Sequence, residues 1–104
     1  MKTRLELQQD IIGALRTVKD PEINVNIYDL GLVYRIDVTD KNDVEIDMTM
    51  TAPNCPMAED LVMWARDAIK NLEGVNSVNI NLVFDPPWTT DMLSEEAKLE
   101  LNMF

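Results

Sequence analysis

Two runs of strictly alternating residues, separated by a polar turn, constrain the fold of this chain more than any other feature. Every second residue is apolar in the first run, Leu32–Thr39, and the second run, Val44–Thr51, repeats the pattern. The intervening Asp40–Asp43 segment has the composition of a turn. Because a period of two puts all the apolar side chains of a strand on one face, the sequence predicts an antiparallel hairpin with one buried face.

Two amphipathic helices flank this hairpin in the sequence. Apolar residues recur at helical spacing from Thr3 to Val18 and again from Met57 to Leu72. The first helix is predicted to end at the Asp20–Pro21 step, since a residue before proline is disfavoured in the helical region. Gly74 suits the left-handed residue that often closes a helix, here the second one.

A third alternating run, Ser77–Phe84, predicts a third strand, and Ser94 is placed to cap a short helix that reaches Phe104. The predicted order is therefore α-β-β-α-β-(α). Strands with one apolar face need a cover, which the two long helices supply, and the fold class is a two-layer α+β sandwich. The third strand is expected to run parallel to a hairpin strand through a right-handed helical crossover. The length fits one domain, residues 1–104.

The composition excludes several classes of function. Nineteen acidic and nine basic residues give a net charge of −10, which repels phosphate backbones and anionic lipids, so neither nucleic acid nor a membrane is an expected partner. The chain has no His and one Cys, which excludes catalysis by a Ser-His or Cys-His pair, an intrachain disulfide and a Cys-x-x-Cys redox pair. No basic and apolar leader opens the sequence, and we expect a cytoplasmic protein.

The single cysteine, Cys55, is the main chemical candidate. It precedes Pro56 at the predicted start of the second helix, and Pro53 and Thr51 belong to the same loop. Amide hydrogens and the helix dipole at such a position favour the thiolate, which attacks electrophiles and binds metals. The alternative is a small residue buried at a tight turn. The residue types leave both interpretations open.

Two further loops carry candidate residues. Asp20, Glu22 and Asp29 would serve near the thiol as hydrogen-bond acceptors, metal ligands or partner contacts, or they only form turns. A role as a base for the thiol is disfavoured, because a nearby carboxylate opposes thiolate formation. Trp88 follows two prolines and is interpreted either as a contact for a partner or as a plug over the end of the sheet.

Taken together, these loops resemble the metal–sulfur cluster biosynthetic family, which contains the SufT-like and PaaD-like bacterial proteins. The resemblance extends from the first helix to about Ala97 and rests on four ordered blocks: Asp20–Ile23, Ile27–Tyr34, Thr49–Pro56 and Asp85–Trp88. It implies a fold shared with the C-terminal domain of NifU-type scaffolds and a role in maturing iron–sulfur or other metal–sulfur proteins. It also implies that Cys55 is the functional thiol, with Asp20, Glu22 and Asp29 on the matching carboxylate positions.

The resulting hypothesis is an accessory maturation factor rather than an enzyme. Cys55 would transiently bind iron or an iron–sulfur cluster, or engage a thiol of a scaffold, carrier or client protein. Since clusters usually need four protein ligands, the rest would come from that partner or from a second copy in a homodimer. The alternative is a non-catalytic interaction adaptor, such as a PaaD-like accessory of a phenylacetyl-CoA ring oxygenase complex, in which Cys55 is structural.

Overall fold

The structure is a computed structural model that describes residues 3–20, 25–51 and 58–101. Its elements follow the predicted order, with one short 3-10 helix added before the last helix. They are α1 (Arg4–Leu15), β1 (Val33–Val38), β2 (Asp43–Met48), α2 (Ala58–Lys70), β3 (Ser77–Leu82), the 3-10 helix (Thr90–Met92) and α3 (Glu95–Glu100). None of the helices in these ranges is long and apolar enough to cross a membrane.

The three strands form one sheet in the order β1-β2-β3. β1 and β2 pair antiparallel, with Ile36 opposite Ile46. β2 and β3 pair parallel, with Ile46 opposite Ile80, as the helical crossover between them requires. The predicted hairpin and the predicted parallel third strand are both confirmed. A closer likeness to the NifU-type domain stays a prediction.

One apolar layer lies between the sheet and the two long helices. Each helix buries residues at a spacing of four, so that a single stripe faces the strands. The buried residues of these elements are Leu7, Ile11 and Leu15 in α1, Leu61, Ala65 and Ile69 in α2, and Val38, Val44, Ile46 and Met48 in the sheet. The two-layer α+β sandwich is thereby confirmed.

The end of the first helix differs from the prediction. Thr3 caps α1 and forms a capping box with Glu6, but the helix stops at Leu15 rather than at the proline step. The chain then turns, and the Ile27 amide donates to the Val18 carbonyl at 2.8 Å. This pairing with a later segment holds Val18 outside the helix. α1 therefore ends before it reaches Asp20, the residue before proline at which the sequence predicted its end.

Alternation also fails at two strand ends. The register shifts between Val33 and Arg35, and Val33 packs against the core although the pattern placed it on the polar face. β3 ends at Leu82, and both Leu82 and Phe84 are exposed although they continue the apolar face. The last helix is capped as predicted, because the Ser94 hydroxyl accepts from the Ala97 amide at 3.1 Å. Within the described residues α3 itself reaches Glu100.

The outer face of the sheet is polar and internally hydrogen-bonded. Asp43 accepts from the Asn76 amide and the Ser77 hydroxyl, each at 2.7 Å. Further along β2, Glu45 and Asp47 accept from asparagine amides of β3, and Arg35 donates to Asp47 at 3.0 Å. The carboxylates of β2 thus receive donors from both neighbouring strands, which offsets their mutual repulsion.

The hydrogen bonds to Asp43 make the stability of this fold depend on pH. The Ser77 hydroxyl, followed by the Asn76 amide, lowers the pKa of Asp43 below its ordinary value of 3.8. A lowered pKa in the folded state stabilises the protein above the ordinary value, and this contribution disappears as pH falls through the folded value. We expect Asp43→Asn to lower the urea midpoint at pH 7, with a gap from wild type that narrows as the pH falls below 3.8.

Asp67→Asn is the control, because it removes a carboxylate from an exposed position on α2, away from the strands. If the urea midpoints of wild type and Asp43→Asn differed by the same amount at pH 7 and in acid, the expected role of the Asp43 charge would be contradicted.

Gly31 fixes the loop that leads into β1. Its φ is +80°, which favours glycine, and an added Cβ would lie 2.3 Å from the Met92 carbonyl oxygen. We expect Gly31→Ala to lower the free energy of unfolding by about 1–3 kcal/mol, the usual range for a strained backbone, as measured by urea unfolding. Gly13→Ala in α1 is the matched control, since nothing lies within 4 Å of its added Cβ. That control should stabilise the protein by about 0.5–1 kcal/mol, and equal effects of the two changes would contradict this account.

Candidate functional site

The three loops singled out in the sequence meet at one end of the molecule. The Thr49 amide donates to the Leu32 carbonyl at 2.7 Å, which joins the end of β2 to the loop before β1. The Trp88 Nε1 donates to the Leu30 carbonyl at 2.6 Å, which joins the loop after β3 to the same segment. Thr51 and Trp88 line one small cavity. The described parts of the three loops therefore form one contiguous region, while the predicted grouping of the carboxylates around the thiol stays a prediction.

Asp29 is held in a tight turn at this end. Its carboxylate accepts from the Asn26 side-chain amide at 2.7 Å, and its own backbone amide donates to the side-chain oxygen of Asn26 at 2.8 Å. The Arg16 guanidinium lies 3.7 Å from the Asp29 carboxylate and 5.2 Å from the centre of the Tyr28 ring. These contacts support the interpretation of Asp29 as a turn residue. Its predicted position beside the thiol stays a prediction.

Asp20 is 3% exposed, although it lies in a connecting segment. Its amide donates to the Val25 carbonyl at 3.0 Å, so the chain doubles back here between α1 and the Asp29 turn. Glu22 lies between these two points and outside the described residues. Burial of a carboxylate requires compensating polar contacts, so Asp20 belongs to the packed structure of this segment, and its predicted role near the thiol stays a prediction.

The segment after β3 is tied to the rest of this end by its side chains and backbone. The Tyr34 hydroxyl donates to the Pro86 carbonyl at 2.8 Å, next to the cis Asp85–Pro86 bond. The Ser94 amide donates to the Asp29 carbonyl at 2.8 Å. Trp88 is half-buried and packs against the core. The geometry gives Trp88 the plug role, while its role as a contact for a partner stays a prediction.

Thr49 is a residue of this site that the sequence did not single out. Alternation placed its side chain on the polar face of the strand, but it is fully buried. Its hydroxyl forms no hydrogen bond with the described residues. An unsatisfied buried hydroxyl costs about 1–3 kcal/mol. Thr49 belongs to the lining of the same cavity as Thr51 and Trp88. The only signal in the sequence was that Thr49 opens the block shared with Cys55.

The thiol itself, with its supporting Pro53 and Pro56, lies outside the described residues. The described chain stops at Thr51 and resumes at Ala58, the first residue of α2. The predicted position of Cys55 at a helix start stays a prediction. Within the described ranges, no three His, Cys, Asp or Glu side chains are grouped closely enough to hold a metal ion.

Two named relatives show what this chain is similar to. The chain is 50% identical over 98 residues to a protein of Porphyromonas gingivalis named Fe-S protein maturation auxiliary factor, covering 94% of this chain and 93% of that protein. It is 34% identical over 96 residues to a protein of Escherichia coli named as one subunit of a putative 1,2-phenylacetyl-CoA epoxidase, covering 91% of this chain and 57% of that protein.

A solved structure has the same fold. The crystal structure of a domain of unknown function from Bacillus anthracis superposes with a TM-score of 0.88 at 35% identity, covering 94% of this chain and 93% of that chain. A family model described as iron–sulfur cluster assembly protein matches residues 8–82, from α1 to the end of β3. Three of the four sequence blocks lie within these residues. The match confirms the resemblance, and the chain belongs to the iron–sulfur cluster assembly protein family.

Proposed function

We propose that this protein is an accessory factor in the maturation of iron–sulfur proteins, with Cys55 as its transient ligand or docking thiol. The observation that carries the proposal is the convergence of three loops on the end of β2, where the chain enters the Cys55 segment. Membership of the family and the name of the Porphyromonas gingivalis relative support the same role.

The presence of a single thiol limits how such a factor can bind iron or a cluster. Because a cluster is usually held by four protein ligands, a chain with one cysteine and no histidine needs ligands from elsewhere. A scaffold, carrier or client protein supplies them, or a second copy of this chain. The cargo is therefore shared during transfer and is not stored, and the protein acts without turnover of a substrate.

Carboxylates have a separate role in this proposal. Asp20, Glu22 and Asp29 provide oxygen ligands for iron or contacts for a partner, and they do not activate the thiol, since negative charge nearby opposes the thiolate. The net charge of −10 favours a client with a basic surface and speeds the encounter of the two proteins. We place this chemistry in the cytoplasm.

Replacement of the thiol tests the proposal. We expect Cys55→Ala to keep the wild-type unfolding midpoint and to lower the rate of cluster transfer from a loaded scaffold to an apo-client by at least about tenfold, the low end for damage to a metal site. Transfer is followed anaerobically by visible absorbance and by the recovery of client activity. Leu5→Ala, which truncates an exposed side chain of α1, is the control and should transfer at the wild-type rate.

Wild-type transfer by a folded Cys55→Ala protein would remove the thiol from the mechanism. Reconstitution of wild type alone with iron and sulfide adds a second measurement. Absorbance that depends on Cys55 and on the presence of the scaffold would agree with a shared site. A stable cluster on the isolated monomer would contradict it.

A non-catalytic adaptor is the second candidate function, and the name of the Escherichia coli relative, one subunit of a putative epoxidase, favours it. In an adaptor, Cys55 is a packed residue and the Asp20 and Trp88 loops bind the partner. The two functions differ in the reactivity of the thiol. Alkylation of an activated Cys55 should reach half its maximal rate well below the ordinary cysteine pKa of about 8.5.

The adaptor instead predicts slow labelling with a midpoint at or above that value, compared with free cysteine at each pH. It also predicts that Trp88→Ala weakens partner binding while Cys55→Ala leaves it unchanged, as measured by calorimetry. Rapid labelling at neutral pH with a loss of transfer in Cys55→Ala would exclude the adaptor.

A further inference from the structure

The outer edge of β3 and the groove beside it carry an inference that does not depend on the role of Cys55. We propose that this surface joins two copies of the chain about a two-fold axis, with β3 of one copy antiparallel to β3 of the other. The result is a continuous six-stranded sheet whose helices lie on one side.

The first observation is the absence of charge along β3. β3 is an outermost strand of the described sheet and pairs with β2 on its inner side. The segment from Ser77 to Phe84 carries no charged residue and no proline, in a chain with 28 charged residues: 19 acidic and 9 basic. Natural edge strands are usually protected from pairing by lysine, proline or a bulge. A six-residue edge without such protection is suited to strand addition.

An apolar groove beside this edge is the second observation. It has a volume of about 400 Å³ and lies between α2 and the end of β3. Met63 is 44% exposed and Leu82 is 39% exposed, although both belong to regular elements. Val62 belongs to the same lining. Exposed apolar side chains that adjoin a free strand edge provide the buried area that backbone pairing alone lacks.

The two charges in the groove are placed so that the groove of one copy complements the groove of a second copy. Its lining includes one acid and one base, Glu59 and Arg66, and neither forms an ion pair with another described residue. They are seven residues apart, so they lie on the same side of α2 at a separation of about 10 Å. A two-fold axis that passes near Val62 and Met63 makes the two α2 helices antiparallel. Glu59 of each copy then faces Arg66 of the other, as an isologous interface requires.

The high net charge does not prevent this association. Within the joined sheet the nearest acidic row is on β2, and its copy across the axis is three strand spacings away, about 14 Å. This separation exceeds the Debye length of about 8 Å at physiological ionic strength. Glu45 and Asp47 also accept hydrogen bonds from β3 asparagines. Repulsion between the two halves of the sheet is therefore screened, and Glu59, the acid that lines the groove, faces Arg66 of the other copy.

A second copy fits this surface better than a basic peptide does. A groove with one acid and one base has no net charge to select a cationic segment. A second copy supplies an uncharged strand with alternating apolar residues, an apolar helix face and both complementary charges. Basic partners are instead suited to the acidic surface elsewhere on the molecule.

Charge reversal within the groove tests the interface. We expect wild type to dimerise in sedimentation equilibrium at physiological salt. Arg66→Glu should raise the dimer Kd by at least about tenfold, because it places two acids opposite two acids. The double variant Glu59→Arg with Arg66→Glu restores complementarity and should restore the dimer. Trp64→Glu is the control, since this exposed residue of α2 is outside the groove lining, and it should dimerise like wild type.

Amide hydrogen exchange distinguishes this interface from any other. Exchange of β3 amides should slow as the protein concentration rises in wild type and in the double variant, and it should not depend on concentration in Arg66→Glu. A wild-type monomer at millimolar concentration would overturn the proposal. So would a dimer that the groove variants leave intact, or a monomer whose β3 edge binds only added basic peptides.

The same measurements on Cys55→Ala separate this inference from the proposed function. The variant should dimerise like wild type even where it fails in cluster transfer. A loss of dimer in a folded Cys55→Ala protein would contradict the assignment of the interface to β3 and α2.

Discussion

The close approach of Gly31 to the backbone of Met92 is the contact on which the functional end of the molecule depends. It leaves no space for a side chain, so the loop before β1 and the segment after β3 touch along their backbones. The hydrogen bonds from Trp88 to Leu30 and from Ser94 to Asp29 join the same two segments. Separation of the two segments would break both bonds and uncover the end of β2, where the Cys55 segment begins.

Much of the fold could be predicted from periodicity, because burial on one face is a local property of a strand or helix. The hairpin, the parallel third strand and the buried stripes of α1 and α2 follow from it. The exceptions arise where distant segments meet. Val18 leaves the helix because Ile27 pairs with it, and Thr49 is buried because Trp88 and its neighbours close over the end of the sheet. Neither contact has a signature in the local sequence.

The candidate site was predictable in a different way. The residue types indicated three candidate loops, and the structure brings the described parts of those loops together. What the sequence did not indicate is the division of roles among them. Asp29 and Trp88 have identifiable structural contacts, whereas Thr49 has an unused hydroxyl within the described part of the chain. The described residues of the three loops thus contact one another, and the proposed thiol chemistry adds to them a segment that only the sequence locates.

The hydrogen-bonded rows across the sheet have a consequence for the composition of β3 itself. Its outward positions hold asparagine and serine, which donate hydrogen bonds to the β2 carboxylates, and its inward positions Val78 and Ile80 pack against the core, while Leu82 at its end is exposed. Five of its six positions therefore already have a structural role. Those five positions leave no place for a charged side chain that would protect the edge from pairing. Protection of this edge from unwanted strand pairing then has to come from a surface outside the strand that covers it.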